Sequence, residues 1–171
     1  MEIRPYEGTD SDAKQLWELK RGFELGLGEG TGADDKAEIY SEKLTDDYRE
    51  KYLDWVGRCG ADDERCVTVA DASAKDDEAT DGELAGYVFV LPARLAFIWD
   101  AAVLNEIFVR PEYRGTDVAD DLMDAAVELA RDQTIPLDRL VLDVDRENDR
   151  AKAFYDRHGF EHWGEMVARK L

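Results

Sequence analysis

The spacing of apolar positions changes from segment to segment along the chain, and that spacing predicts its elements. Ile3-Arg4-Pro5-Tyr6 reads as a short first strand. Asp10-Ser11-Asp12 offers N-caps to a helix whose apolar face is Leu16, Leu19, Phe23 and Leu27, spaced at helical steps. Glycines at 26, 28, 30 and 32 predict a flexible loop from Gly26 to Gly32. A second helix follows Thr45, with Tyr48, Tyr52, Trp55 and Val56 on one side and Gly60 as its stop. Cys66–Ala70 and Leu84–Leu91 are short apolar runs that read as strands, and Pro92 ends the second. Between them Asp71–Gly82 is polar and acidic, a long solvated hairpin loop. Ala102–Val109 is a fourth strand.

The C-terminal part is more regular. After Pro111 and Gly115 a helix runs from about Val118 to Ala130, with Val118, Leu122, Ala126 and Leu129 on its apolar face. Leu140–Val144 is a fifth strand. A short helix carries Ala151, Phe154 and Tyr155, with Asn148 or Asp149 in front and Gly159 behind, and Phe160–Leu171 closes as strand. The order β-α-α-β-β-β-α-β-α-β mixes hairpins with helical crossovers, so the expected class is α/β with a mixed sheet.

Composition narrows the picture. A chain of 171 residues with 44% hydrophobic content is long enough for one domain, residues 1–171, with its own core. No run approaches the ~20 apolar residues of a membrane helix. The N-terminus has neither the apolar core nor the basic flank of a signal peptide, so the expectation is a cytoplasmic protein. Lys and Arg number 22 against 41 Asp and Glu, a formal net charge of −19. Such a surface repels phosphate backbones and anionic membranes, so no nucleic-acid or membrane partner is expected. Two explanations remain, a protein that steers cationic ligands and one that stays hydrated in very high salt; the acid is spread along the whole chain and Arg outnumbers Lys, a pattern that resembles proteins of salt-accumulating halophiles. At molar salt the Debye length is about 3 Å and self-repulsion is largely screened. Cys59 and Cys66 are seven residues apart, without a CxxC or a nearby His, so they read as buried thiols and no metal site is expected.

The candidate chemistry lies in the strand–turn–helix unit from Asn105 to Ala130. A helix N-terminus exposes unpaired N–H groups and a partial positive charge, which suits a phosphate, although an ordinary β–α turn fits the same residues. Asn105-Glu106-Ile107-Phe108-Val109-Arg110-Pro111-Glu112-Tyr113-Arg114-Gly115-Thr116-Asp117-Val118-Ala119 resembles the signature of the GNAT family of N-acetyltransferases. Asn148 to Phe160, NDRAKAFYDRHGF, resembles the same family's second motif, N-x-x-A-x-x-F/L-Y-x-x-x-G-F. Two motifs in the right order are far more specific than either alone, and the element order from Ile3 onward is similar too.

The resemblance implies a single domain with a mixed central sheet of six to seven strands and about four helices, splayed between the fourth and fifth strands. It implies transfer of acetyl from acetyl-CoA to a primary amine by direct attack, with no metal. The pyrophosphate would lie on the turn Arg114, Gly115, Thr116, Asp117, Val118 and Ala119. The pantetheine would run along Ile107, Phe108 and Val109, and Asn148 would contact the cofactor arm. Tyr155 stands where relatives keep the acid that protonates the leaving thiolate, a sensible role for a phenol. Relatives often carry an acidic residue at the position of Glu106, which points to the opposite sheet face from Asn105 and Ile107; it would deprotonate the amine, commonly through water. The resemblance implies a small-molecule or peptide amine as acceptor, and a homodimer is compatible with the family. One position departs from the pattern: the turn's central glycine is Asp117, whose carboxylate favours a helix N-cap and competes for the N–H groups a pyrophosphate uses. That departure is compatible with weaker CoA binding, with function only in high salt, or with the alternative, a catalytically silent acyl-CoA-binding regulatory or interaction module with the same fold.

Overall fold

The computed structural model describes residues 1–29, 34–73 and 83–169. Its strands are β1 (Glu2–Pro5), β2 (Val67–Asp71), β3 (Leu84–Val90), β4 (Ala102–Val109) and β5 (Leu140–Val141). They form one sheet in the order β1-β2-β3-β4-β5, with β1 to β4 antiparallel and β5 parallel to β4. The helices are α1 (Asp10–Glu29), α2 (Asp34–Glu42), α3 (Asp46–Asp62), α4 (Val118–Asp132) and α5 (Asp149–Arg157). Every residue of β3 is buried, as its uninterrupted apolar run requires of a strand covered on both faces. Trp55 of α3 packs on Phe89 on one face, whereas Gly86, whose side-chain direction is the opposite, lies against Leu122 of α4 on the other.

Several expectations give way. The described residues contain five strands rather than six to seven, and Phe160–Arg169 is not strand. Trp163, Met166 and Val167 in that segment are exposed, Val167 by 90%, so the alternation there has no apolar layer to lie against. β5 stops at Val141 instead of Val144, because only Ala102↔Leu140 and Val103↔Val141 pair with β4. Among the described residues no pairing of β4 with β5 extends beyond Val103. Among the described residues there are five α-helices; the one the sequence pattern does not predict is α2, a segment with little apolar periodicity. The predicted glycine loop is instead the end of α1, which passes through Gly26 and Gly28 to Glu29; Gly30 and Gly32 lie outside the described residues. Gly60 does not stop α3, which ends at Asp62 when Asp63 turns extended (φ −153°, ψ 121°). Of the hairpin loop Asp71–Gly82, positions 74–82 lie outside the described residues. Cys59 and Cys66 are free and buried, as expected, and burial pushes the Cys66 thiol up to about 12.

Candidate functional site

The site is organised by an irregularity in β4. Its pairing with β3 runs Phe89↔Glu106 and then Val90↔Leu104, so Asn105 is an extra residue, a bulge. Bulges re-aim side chains and collect beside active sites. Here the bulge lets the Asn105 side chain donate to Oε1 of Glu106 (3.0 Å), while Glu106 points into the layer between the sheet and α1 and α3.

Glu106 is 4% exposed and saturated. Its Oε1 also accepts from Lys20 Nζ (2.7 Å), and its Oε2 accepts from the hydroxyls of Tyr52 (2.9 Å) and Tyr87 (2.6 Å). A bare carboxylate cannot be taken this deep without a counter-charge and hydrogen bonds for its lone pairs, and these donors supply both. Lys20, 3% exposed, is shared: its Nζ lies 2.6 Å from Oε1 of Glu24, one helical turn along α1. The Lys20 ammonium also stands over the Tyr52 ring at 4.8 Å and the Phe23 ring at 5.1 Å. Burial alone would lower the Lys20 pKa; the charges of Glu106 and Glu24 outweigh it and hold the ammonium above its ordinary value. Burial, reinforced by the charge of Glu106, drives the phenols of Tyr52 and Tyr87 well above theirs, so both keep their protons and donate.

Glu24 is 3% exposed and completes the line. Burial works to raise its pKa, but Lys20 and then Lys43 overcome this and leave it below the usual carboxylate value. Lys43 follows α2 and places Nζ 2.6 Å from Oε2 of Glu24, with the Tyr48 hydroxyl 3.4 Å from Oε1. Carboxylates and ammoniums thus alternate from the bulge to the surface: Glu106, Lys20, Glu24, Lys43. Lys20, Glu24, Tyr52 and Tyr87 were missed from the sequence. The available signal was a Lys and a Glu at 20 and 24, four and eight residues after Leu16, on the buried stripe of α1.

The predicted cofactor turn is surface-exposed from Arg114 to Asp117. Gly115 sits at φ +80°, a left-handed conformation glycine reaches without strain. Thr116 Oγ donates to Tyr113 O (2.6 Å), and Arg114 donates through Nε to Val109 O (3.1 Å) while lying 5.6 Å from the Phe108 ring. Burial, then the neighbouring Arg150, lowers the Arg114 pKa, so two guanidiniums converge near this turn. Asp117 is the N-cap of α4 but makes no capping hydrogen bond through its side chain. Its carboxylate therefore does not take the first-turn N–H groups, which are the groups a helix N-terminus offers to an anion. Asp120 in the same turn is partnered instead by Arg157 (2.6 Å) and His158 (2.7 Å) of the α5 end.

The remaining predicted residues are placed as follows. Ile107 and Phe108 are half-buried and Val109 buried on β4. Phe108 meets α1 at Gly22, where an added Cβ would come 2.6 Å from its ring. Val118 is buried and Ala119 half-buried at the start of α4. Asn148 caps α5, its Oδ1 accepting from Ala151 N at 3.0 Å. Tyr155 sits in an aromatic group at the edge of the core: its ring meets Phe154 (5.5 Å) and Phe160 (5.7 Å), and burial raises its hydroxyl to about 12. A depression of about 330 Å³ at the other end of α4 is lined by Asp62, Asp63, Arg65, Arg94 and Asp132, and is distinct from all of these. Among the described residues no helix is long and apolar enough to cross a membrane, and no group of three or more His, Cys, Asp or Glu is arranged to hold a metal ion.

Known proteins resemble this chain in sequence and in fold. A Bacillus subtilis (strain 168) protein named "Putative ribosomal protein bS18-alanine N-acetyltransferase" is 33% identical over 84 residues, which are 49% of this chain and 51% of that one. The chain therefore spans about half the length of this curated relative. Among solved structures, the Thermoplasma acidophilum PaiA N-acetyltransferase in complex with coenzyme A superposes with a TM-score of 0.66 at 23% identity, covering 94% of this chain and 89% of that one. An aminoglycoside 6′-N-acetyltransferase of Acinetobacter haemolyticus gives 0.63 at 16% identity, covering 100% and 98%. The profile of the acetyltransferase (GNAT) family matches residues 33–160, from the α2 region through both motifs, and the chain belongs to that family.

Proposed function

We propose that the protein is an N-acetyltransferase that moves acetyl from acetyl-CoA to a primary amine by direct attack. The observation that carries this reading is the bulge at Asn105, which sets the buried Glu106 on the same strand that pairs with β5 only at Ala102 and Val103 and leads into the Gly115 turn. In the proposed complex the pyrophosphate lies on the N–H groups of Gly115 to Ala119 with Arg114 beside it. The pantetheine runs along Ile107 to Val109, and Asn148 stands by the cofactor arm.

The amine nitrogen attacks the thioester carbonyl; a C–N bond forms and the C–S bond breaks. An ammonium acceptor loses two protons, one to the sulfur and one to solvent. Tyr155 gives its proton to the leaving thiolate and recovers one from the attacking nitrogen. Glu106 has no lone pair free for direct contact, so the other proton reaches it through the Tyr52 hydroxyl, which passes its own proton to Oε2 as it accepts the substrate's, and the proton returns through the same hydroxyl to solvent once product leaves, restoring the carboxylate. Holding amine and thioester together supplies much of the rate.

A second reading, the silent acyl-CoA-binding module, is favoured by one observation: the exposed, uncapping carboxylate of Asp117 in the anion turn. Calorimetric titration of acetyl-CoA, followed by an amine screen for released thiol, separates the two. Tyr155→Phe should lower turnover about 10²-fold or more with unchanged acetyl-CoA affinity. Glu106→Gln should depress activity most at low pH; binding without turnover for any amine would leave the silent module.

A further inference from the structure

Charge counting along the buried line leaves a remainder. Glu106 and Glu24 contribute two negative charges and Lys20 one positive, all at least 95% buried. The interior is one positive charge short, and Lys43 supplies it from the rim, with its side chain 36% exposed. The outer oxygen of Glu24 makes no hydrogen bond of good geometry among the described residues; its contact is the Lys43 ammonium at 2.6 Å. Around that ammonium stand the Tyr40 ring at 4.4 Å and the Tyr48 ring at 5.6 Å. A carboxylate flanked by aromatic faces is the chemistry that recognises an alkylammonium. Lys20 fills the inner version of the same cage, between Glu106 and Glu24 and beneath Phe23 and Tyr52, where it is locked from both sides. Lys43 is the exchangeable occupant, since it is held on one side only and reaches solvent.

We infer that the outer oxygen of Glu24, with Tyr40 and Tyr48, is an ammonium subsite that Lys43 occupies in the free protein and that a second positive charge on the acceptor amine takes over. The inference deepens the acetyl-transfer reading and rests on it for the word acceptor. Glu24 is then the residue that selects dicationic over monocationic amines, since only the former can neutralise it after Lys43 swings away. Proximity ties the subsite to the reaction: Glu24 and Glu106 grip the same Lys20 nitrogen.

The test uses 1,4-diaminobutane and 4-aminobutan-1-ol, which differ in the second charge, at one fixed low salt concentration. Calorimetric titration of the diamine should tighten about tenfold in Lys43→Met, where the competing ammonium is gone, and fall back in Lys43→Met with Glu24→Gln. In acetyl transfer by the unmodified protein, kcat/KM for the diamine should exceed that for the amino alcohol about tenfold, and Glu24→Gln should erase the difference. Equal diamine affinity in all three proteins, or an unaltered kcat/KM ratio in Glu24→Gln, overturns the subsite. Diamine binding with the expected variant pattern but no acetylated product upholds the subsite and overturns the transferase reading instead.

Discussion

Replacing Lys20 by Met keeps an unbranched side chain of similar length and deletes the one ammonium shared by two buried carboxylates. Glu106 keeps Asn105, Tyr52 and Tyr87, and Glu24 keeps Lys43, but no cation stands between them. Removing one member of a buried ion pair costs about 3–5 kcal/mol, a large part of the ~5–15 kcal/mol available to a domain. The pH dependence sharpens the test. Lys20 is held above its ordinary pKa, so its stabilisation is complete below the unfolded-state value and is lost only as pH rises through the higher folded-state one. Glu24 is held below its ordinary pKa, so its contribution is present above the unfolded-state value and fades as pH falls through the folded-state one. The native protein should therefore change little between pH 7 and pH 5 on account of these groups. Lys20→Met should gain stability over that interval, by about 1–2 kcal/mol, because protonating one carboxylate relieves an uncompensated buried charge. Urea unfolding followed by tryptophan fluorescence reports it, since Trp17 packs on Tyr48 and Tyr52 beside the network. Glu106→Gln added to Lys20→Met should recover part of the loss. A cost below about 1 kcal/mol at pH 7, or a pH dependence parallel to the parent, would refute the view that Lys20 neutralises this layer.

Asp117→Gly should tighten acetyl-CoA binding about three- to tenfold at low salt, with the gain shrinking as salt rises, because it removes an exposed carboxylate that does not cap the helix; an unchanged affinity in calorimetry would count against an anion site there. Gly115→Ala must hold a side chain at φ +80°, so it should cost about 1–2 kcal/mol in thermal unfolding and weaken acetyl-CoA binding along with it. Asn148→Ala removes the Oδ1 bond to Ala151 N and should cost about 1 kcal/mol by destabilising the start of α5; no shift in the unfolding midpoint would mean the cap is dispensable.

The parts of the fold visible in the sequence are those where burial pattern and punctuation agree. β3 is an apolar run ended by Pro92, and α4 starts at Val118 with its stripe Val118, Leu122, Ala126 and Leu129 buried. The misplaced boundaries follow local propensity that tertiary contacts override. Glycines 26 and 60 look like breakers, yet each faces open space on the outside of a helix whose other side is already fixed by packing, so each costs the helix only about 1 kcal/mol. The predicted end of β5 and the chain after Phe160 fail for the opposite reason: their alternation is strand-like, but a strand also needs a partner, and among the described residues only Leu140 and Val141 have one.

The candidate positions come from motifs, and the chemistry around them does not. Gly115, Asn148, Tyr155 and Glu106 are singled out because a motif fixes their spacing. The residues that decide what Glu106 can do come from three other elements, Lys20 and Glu24 from α1, Tyr52 from α3 and Tyr87 from β3, at separations no local pattern reports. A composition of −19 also points away from them, because it counts charges without saying which ones cancel. The informative observation was positional. On a helix stripe begun by Leu16, positions 20 and 24 are charged where the amphipathic pattern calls for apolar side chains. Charge that breaks the burial pattern must be compensated from elsewhere in the fold. In an otherwise apolar strand, Glu106 presents the complementary anomaly. Two such violations, one on a helix and one on a strand, are satisfied most simply by each other, and the Lys20–Glu106 pair at 2.7 Å is that solution.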